Sequence, residues 1–452
     1  MKKKNKIISL ILIIISIIGL IITLWCASKD LTSISNPMPP RSIKLSSLYI
    51  IIITILITSI SLISIYLIKP HNFYKNTDKL IIYILENIII ITLSTIIIVN
   101  TTNKYILNNN NKYYPNNNET KNSITLDKSN IASSNTIDLS KETTSITITN
   151  PGSYTITGVS TYPLIIDTSG IVELILDNVN ITTSNTATII GLNAEEITIT
   201  LKEGTTNTLS DGGSSEYDGC IFSNANLIFN GTGTLIVNGL QEEGEGIATE
   251  AKDITFNGGN YQITSNDDGI NAGGDGATIT INDGSFYINA SGDGIDSNKD
   301  AIINGGTIFV IGSDTGGDSG IDTDEGYTIN GGLVIALGSD MIETPKDTST
   351  QNTLAFVLDN SISKDTIVSL LKDDELVVSF EAPKSFKTII ISTPELTNDT
   401  YSIYTDGTNS GTLNNGIYSS GTYELGNILS INNNTTFTIT KKINVFGNTE
   451  RR

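Results

Sequence analysis

The chain is poor in the residues that carry most enzyme chemistry. Its 452 residues include one histidine, one tryptophan, two cysteines and three methionines. The single histidine, His71, lies near the N-terminus. Ser-His-Asp and Cys-His catalysis and histidine-ligated zinc are therefore excluded from the remainder of the chain. Cys26 and Cys220 are too far apart in sequence to suggest a disulfide framework, and Cys220 reads as a small core residue on a strand. Arginine is absent between Arg41 and Arg451, so no guanidinium fork is available there to clamp a carboxylate. Good helix formers are sparse between Cys220 and Thr344, which argues against a helical repeat.

What that stretch contains instead is a period. Isoleucines 221, 247, 270, 295, 321 and 342 recur in similar settings, including Asp268-Gly269-Ile270-Asn271, Asp293-Gly294-Ile295-Asp296 and Gly320-Ile321-Asp322. A spacing of about 20–30 residues marks a solenoid, in which each repeat buries its apolar face on its neighbours. Between the marks apolar and small polar residues alternate, as in Ile279-Thr280-Ile281 and Phe286-Tyr287-Ile288, the period-two signature of strands. Three short strands and three turns fit each repeat. The expectation is an all-β chain built on a parallel β-helix over residues 126–345, with turns stacked about 4.8 Å apart.

Stacking turns each repeat position into a column. Asn257, Asn282, Asn304 and Asn330, with Asn230 before them, form a structural column whose amides can hydrogen-bond to one another. The isoleucines form an inward column. A third column is acidic: Asp268, Asp293 and Asp340 precede the glycine or its equivalent, and Asp318 stands beside the break at Ser319. Asn271, Asp296, Asp322 and Glu343 follow the isoleucine and, by alternation, point outward. Carboxylates stacked at this spacing repel one another, and a cation between turns removes the repulsion. Calcium suits an all-oxygen set with loose geometry, with Asp267 and Asp324 near enough in sequence to contribute. The alternative is a solvated acidic face that holds no specific ion.

The run DDGINAGG followed by SGDGIDSNKDAIINGGTIFVIGSDTGGDSGIDTDEGYTINGGLVIALGSDMIETP resembles a bacterial family of secreted, calcium-binding, carbohydrate-binding proteins. The resemblance covers about Asp138 to Asp406. It implies a right-handed parallel β-helix related to pectate lyases. It also implies polysaccharide binding, with pectin-like and cellulose-like glycans as candidates and no lyase chemistry as the family norm.

The N-terminal quarter differs in composition. It carries 13 of the 27 Lys+Arg but only 4 of the 47 Asp+Glu up to residue 125. Apolar runs at about 7–26, 48–68 and 80–99 are each long enough to span a bilayer, so residues 1–100 read as a membrane anchor of three transmembrane helices. The N-terminal lysines orient the first span and place the C-terminal domain outside the cell. The expected location is the cell membrane, multi-pass. Residues 101–125 are Asn-rich and read as a linker. The acidic body argues against nucleic-acid binding.

After Pro345 the glycines thin out and longer strands follow, including 353–358, 366–371, 375–380, 387–392 and 401–404. These predict a small antiparallel β unit over 346–452 that covers the end of the coil. An outward stripe of Gln262, Tyr287, Phe309 and Ile335 is unusually apolar. Tyr287 and Phe309 are candidates to stack on sugar rings; the alternative is that the C-terminal unit covers them.

Calcium-dependent carbohydrate binding without catalysis fits this pattern best. A pectate-lyase alternative needs a base, for which Lys299 is the candidate, with Lys252 and Lys346 in related places. A structural alternative leaves calcium only to stiffen a surface or adhesion protein.

Overall fold

The computed structural model describes residues 124–125, 135–250, 252–419 and 421–448. The three expected membrane spans and most of the Asn-rich linker lie outside these residues. Among the described residues no helix is long and apolar enough to cross a membrane.

The expected period is realised as an all-β parallel solenoid. One face is a nine-stranded parallel sheet that ends at Ile321–Thr323. Its register joins Ile189 to Ile221, Ile221 to Ile247, and then Ile270, Ile295 and Ile321 in turn. All are buried. The second face aligns Leu227, Ile254, Ile279 and Ala301, and the third aligns Leu235, Tyr261, Phe286 and Ile308. Like residues meet like along each row because every turn repeats the same alternation. Phe229 stacks on Phe256 at 4.7 Å between ring centroids, and Tyr261 on Phe286 at 4.7 Å.

The glycine of the Asp-Gly-Ile repeat has a steric cause. A Cβ on Gly269 would run into Ile288 and the carbonyl of Gly294; one on Gly294 would run into Val310 and the carbonyl of Gly320. Only glycine lets the first face approach the third this closely.

The asparagine column is a continuous amide ladder. Asn257 donates to Asn230 Oδ1 at 2.9 Å, Asn282 to Asn257 at 2.8 Å, Asn304 to Asn282 at 2.9 Å and Asn330 to Asn304 at 3.0 Å. The left-handed backbone of these turns falls on the glycines that follow, such as Gly306 at φ 92° and Gly332 at φ 85°, and not on the asparagines.

The region after Pro345 contains antiparallel strands that cover the end of the coil, and some of them join its sheet. Thr353–Ile362, Phe386–Ser392 and Ile443–Gly447 continue the sheet of the coil. Phe386–Ser392 pairs antiparallel with the last coil strand, placing Ile391 opposite Ile335. The change from parallel to antiparallel ends the repeat and closes an edge that would otherwise invite further strands. Seven of the remaining strands form an antiparallel sheet that includes Ile367–Lys372, Glu375–Glu381 and Thr400–Thr405, and Thr408–Asn409 pairs separately with Tyr423–Glu424.

This sheet settles where the apolar stripe goes. Gln262, Tyr287, Phe309 and Ile335 are in register, as expected. Phe309 and Ile335 are 0% exposed, within a second core shared with Phe380, Val368 and Ile403. Phe309 is therefore not presented to a glycan, contrary to its candidacy. Burying a Phe ring is worth about 1.5–3 kcal/mol, and an exposed stripe of this kind is an aggregation hazard. Tyr287, one turn earlier, stays half-buried.

Candidate acidic site and family

The acidic column lies where the third face turns into the first. Gly246 donates its N–H to the Asp268 carbonyl at 2.9 Å, and Gly269 to that of Asp293 at 2.9 Å, so each turn holds the acid of the next in register. On the first-face strands Asn271, Asp296 and Asp322 occupy successive rungs. Their neighbours Ile270, Ile295 and Ile321 point inward, leaving the polar side chains on the outer side.

The acids perturb one another along the coil. Asp268 is held well above the carboxylate range by burial, with Asp267, Asp296 and Asp293 adding repulsion. Burial pushes Asp293 up to about 8, and Asp322, Asp318 and Asp296 add to the rise. Glu343 is pushed up to about 7 by burial, with Asp322 again adding. Burial also raises Asp267 and Asp318. Asp267, Asp268, Asp293, Asp296, Asp318, Asp322 and Glu343 thus form one electrostatic row, which Asn271 joins by donating to Asp268 Oδ2 at 3.2 Å.

Glu245 belongs to the row and was not among the candidates. It is 7% exposed, and burial raises its carboxyl strongly, with Asp218, Asp268 and Asp267 reinforcing the shift. Asn271 Nδ2 donates to its Oε1. The signal for it was Glu245-Gly246-Ile247, an acid in the Asp-Gly-Ile position one turn before Asp268.

Other candidates fall outside the row. Asp340 forms an ion pair with Lys387 at 2.6 Å, which draws it toward the C-terminal strands. Asp324 is exposed, in the turn after Ile321–Thr323. Lys299 sits in the turn between Ile295–Ser297 and Asp300–Ile303, its carbonyl accepting the Glu325 N–H at 2.8 Å. Lys346 is paired with Asp300. Cys220 is buried beside Thr188, as a core residue. A lysine with no sequence signal, Lys384, donates to the Ala290 carbonyl, and burial depresses its ammonium to about 8.

The donor chemistry of the row fits a hard cation such as calcium, which takes oxygen ligands alone. Two oxygens in it, Asn271 Oδ1 and Glu343 Oε2, are buried and accept no hydrogen bond. The row is strung along the coil: among the described residues no three His, Cys, Asp or Glu side chains converge into one ready-made cluster.

Residues 142–424 match the family model of carbohydrate-binding domain-containing proteins. The chain belongs to this family. A carbohydrate-binding domain-containing protein of Acetivibrio thermocellus is 30% identical over 151 residues, which are 31% of this chain and 52% of that protein. The chain thus spans about half the length of that curated relative. A polysaccharide lyase-like protein from C. thermocellum, solved as a gadolinium derivative, is similar with 27% identity, covering 45% of this chain and 91% of that one at a TM-score of 0.37.

Proposed function

We propose that this chain is a membrane-anchored, extracellular polysaccharide-binding protein whose binding at the acidic row requires calcium. One observation carries the reading: carboxylates from successive turns are held in register, partly out of water and against one another's charge. Partly buried like charges are costly unless a counter-charge is present. Glu245, Asp268, Asn271, Asp293, Asp296, Asp322 and Glu343 are the residues that would hold the ion.

Calcium bound there would offset the row's charge and offer remaining coordination positions to sugar hydroxyls or uronate carboxylates. The chain's own part is to fix the spacing of these oxygens through the ladder of backbone bonds, and to repeat it from turn to turn as a polymer repeats its sugars. The anchor rests on the three apolar runs within residues 1–100.

Affinity electrophoresis of the full-length chain, in gels holding pectin-like or cellulose-like glycans, tests the reading. Retardation in the pectin-like gel that a chelator abolishes is the expected result. No retardation in any gel by folded protein, with calcium present, would overturn it and favour a structural surface protein.

A further inference from the structure

A cavity of about 350 Å³ lies at the seam between the coil and the antiparallel sheet, away from the acidic row. It is at the small end of ligand pockets, which run to about 300–1,000 Å³. The coil contributes Tyr287 and Gln262; the sheet contributes Glu381, Asp365, Asn415 and Leu413.

Its parts are held in place. Tyr287 lies nearly parallel to Phe309, 9° between planes and 5.7 Å between centroids. Phe309 is in turn fixed by Phe380 at 6.2 Å. The turn at Asn415 and Gly416, with φ of 48° and 79°, brings Gly416 against the Phe309 ring, where a Cβ would overlap it. The same turn sets Asn415 Oδ1 to accept from Gln262 Nε2 at 3.1 Å. Glu381 is oriented by the Tyr418 hydroxyl, which donates to Oε2 at 2.6 Å. Leu413, 42% exposed, forms an apolar rim.

A rigid half-buried aromatic beside a carboxylate and two amides matches the two sides of a sugar ring. The ring's C–H face packs on an aromatic, and its hydroxyls donate to carboxylates and exchange bonds with amides. The lining holds two carboxylates and no lysine or arginine. Asp365 is loosely paired, at 3.6 Å, with exposed Lys364. A uronate carboxylate would be repelled here, whereas a neutral pyranose would not.

We propose that this cavity is a second glycan subsite, one that takes a neutral hexopyranose and needs no calcium. The inference rests on the carbohydrate-binding reading and adds to it a division of labour: the acidic row for charged or calcium-bridged glycan, the seam for neutral glycan.

Titration calorimetry of the full-length chain with cellopentaose and with a galacturonate oligomer, each with calcium and with a chelator, tests it. Cellopentaose binding is expected to survive the chelator. It should weaken at least tenfold in Tyr287→Ala and at least threefold in Gln262→Ala, whose side chain is exposed and whose loss leaves the fold intact. Galacturonate binding should need calcium and be unchanged in both variants. The proposal is overturned if cellopentaose fails to bind while galacturonate does, if its binding vanishes with calcium, or if Gln262→Ala and Tyr287→Ala bind it like the parent. Binding of neither sugar under any condition would bring down the carbohydrate-binding reading as well.

Discussion

Asp268 Oδ1 accepts the backbone N–H of Asp293, one turn further along the coil, at 2.7 Å. The acid thus has two roles that its charge sets against each other. It supplies an acceptor to the next turn, and when ionised it adds negative charge to a crowded row. Substitution separates the two. In chelator, Asp268→Asn should melt higher than the parent, because an amide oxygen can keep the acceptor and the charge is gone. Asp268→Ala should be less stable by about 1–3 kcal/mol, because it strands the Asp293 N–H. Equal melting of both variants would contradict this assignment.

The pH dependence of the metal-free protein has a definite sign. Asp293 is raised from 3.8 to about 8 and Glu343 from 4.5 to about 7, both chiefly by burial. Asp211, raised to about 6 by burial, acts the same way elsewhere in the coil. The folded state holds these protons more tightly than the unfolded chain does. Stability is therefore greatest below about pH 4 and falls as pH rises toward 8. Thermal melting in chelator between pH 4 and 9 checks this. A melting temperature that climbs across that range would refute it.

Calcium should reverse that loss where the carboxylates are ionised. At pH 8, calcium at about a hundred times its Kd should raise stability by about 2.7 kcal/mol per site. At pH 4 the gain should be far smaller, because protons compete for the same oxygens. Magnesium, with its stricter octahedral demand, should substitute poorly. Differential scanning calorimetry across the two pH values and the two ions gives the answer.

How much of this was legible in the sequence differs from column to column. Ile221, Ile247, Ile270, Ile295 and Ile321 stand out because a similar spacing recurs, and the last three are each followed by Asn or Asp. The amide ladder stands out for the same reason. Glu245 was obscured by Gln241-Glu242-Glu243, which makes its surroundings look like an acidic loop. The fate of Phe309 was not readable either. Its cover comes from Phe380 and Gly416, more than 70 residues later, and antiparallel partners such as Ile335 and Ile391 carry no mark that names each other. Lys384 falls in a Pro-Lys-Ser loop, and only folding brings it to the Ala290 carbonyl.

Phe309→Ala should cost about 3–5 kcal/mol in a denaturant titration, as for other buried rings. It should leave calcium-dependent glycan retardation intact at temperatures where the protein is folded. Loss of that retardation from a folded variant would show that the ring acts in binding after all.

Asn282→Ala removes a donor to Asn257 and an acceptor for Asn304 in one step. The ladder is solvent-exposed, so the cost should be modest, about 0.5–1.5 kcal/mol for each bond. Hydrogen exchange should quicken in the turns on either side, and not at the C-terminal sheet. Uniform quickening throughout would mean that the ladder carries more of the global stability than its exposure suggests.

The same ladder has a direction. Asn257, Asn282 and Asn304 each donate toward the N-terminus and accept from the C-terminal neighbour, so each inner rung is interchangeable with the next. Excision or duplication of one complete repeat would re-form the same bonds across the new junction, whereas a gain or loss of a single residue would throw every later rung out of phase. Such a chain can lengthen or shorten in whole quanta and keep its end piece.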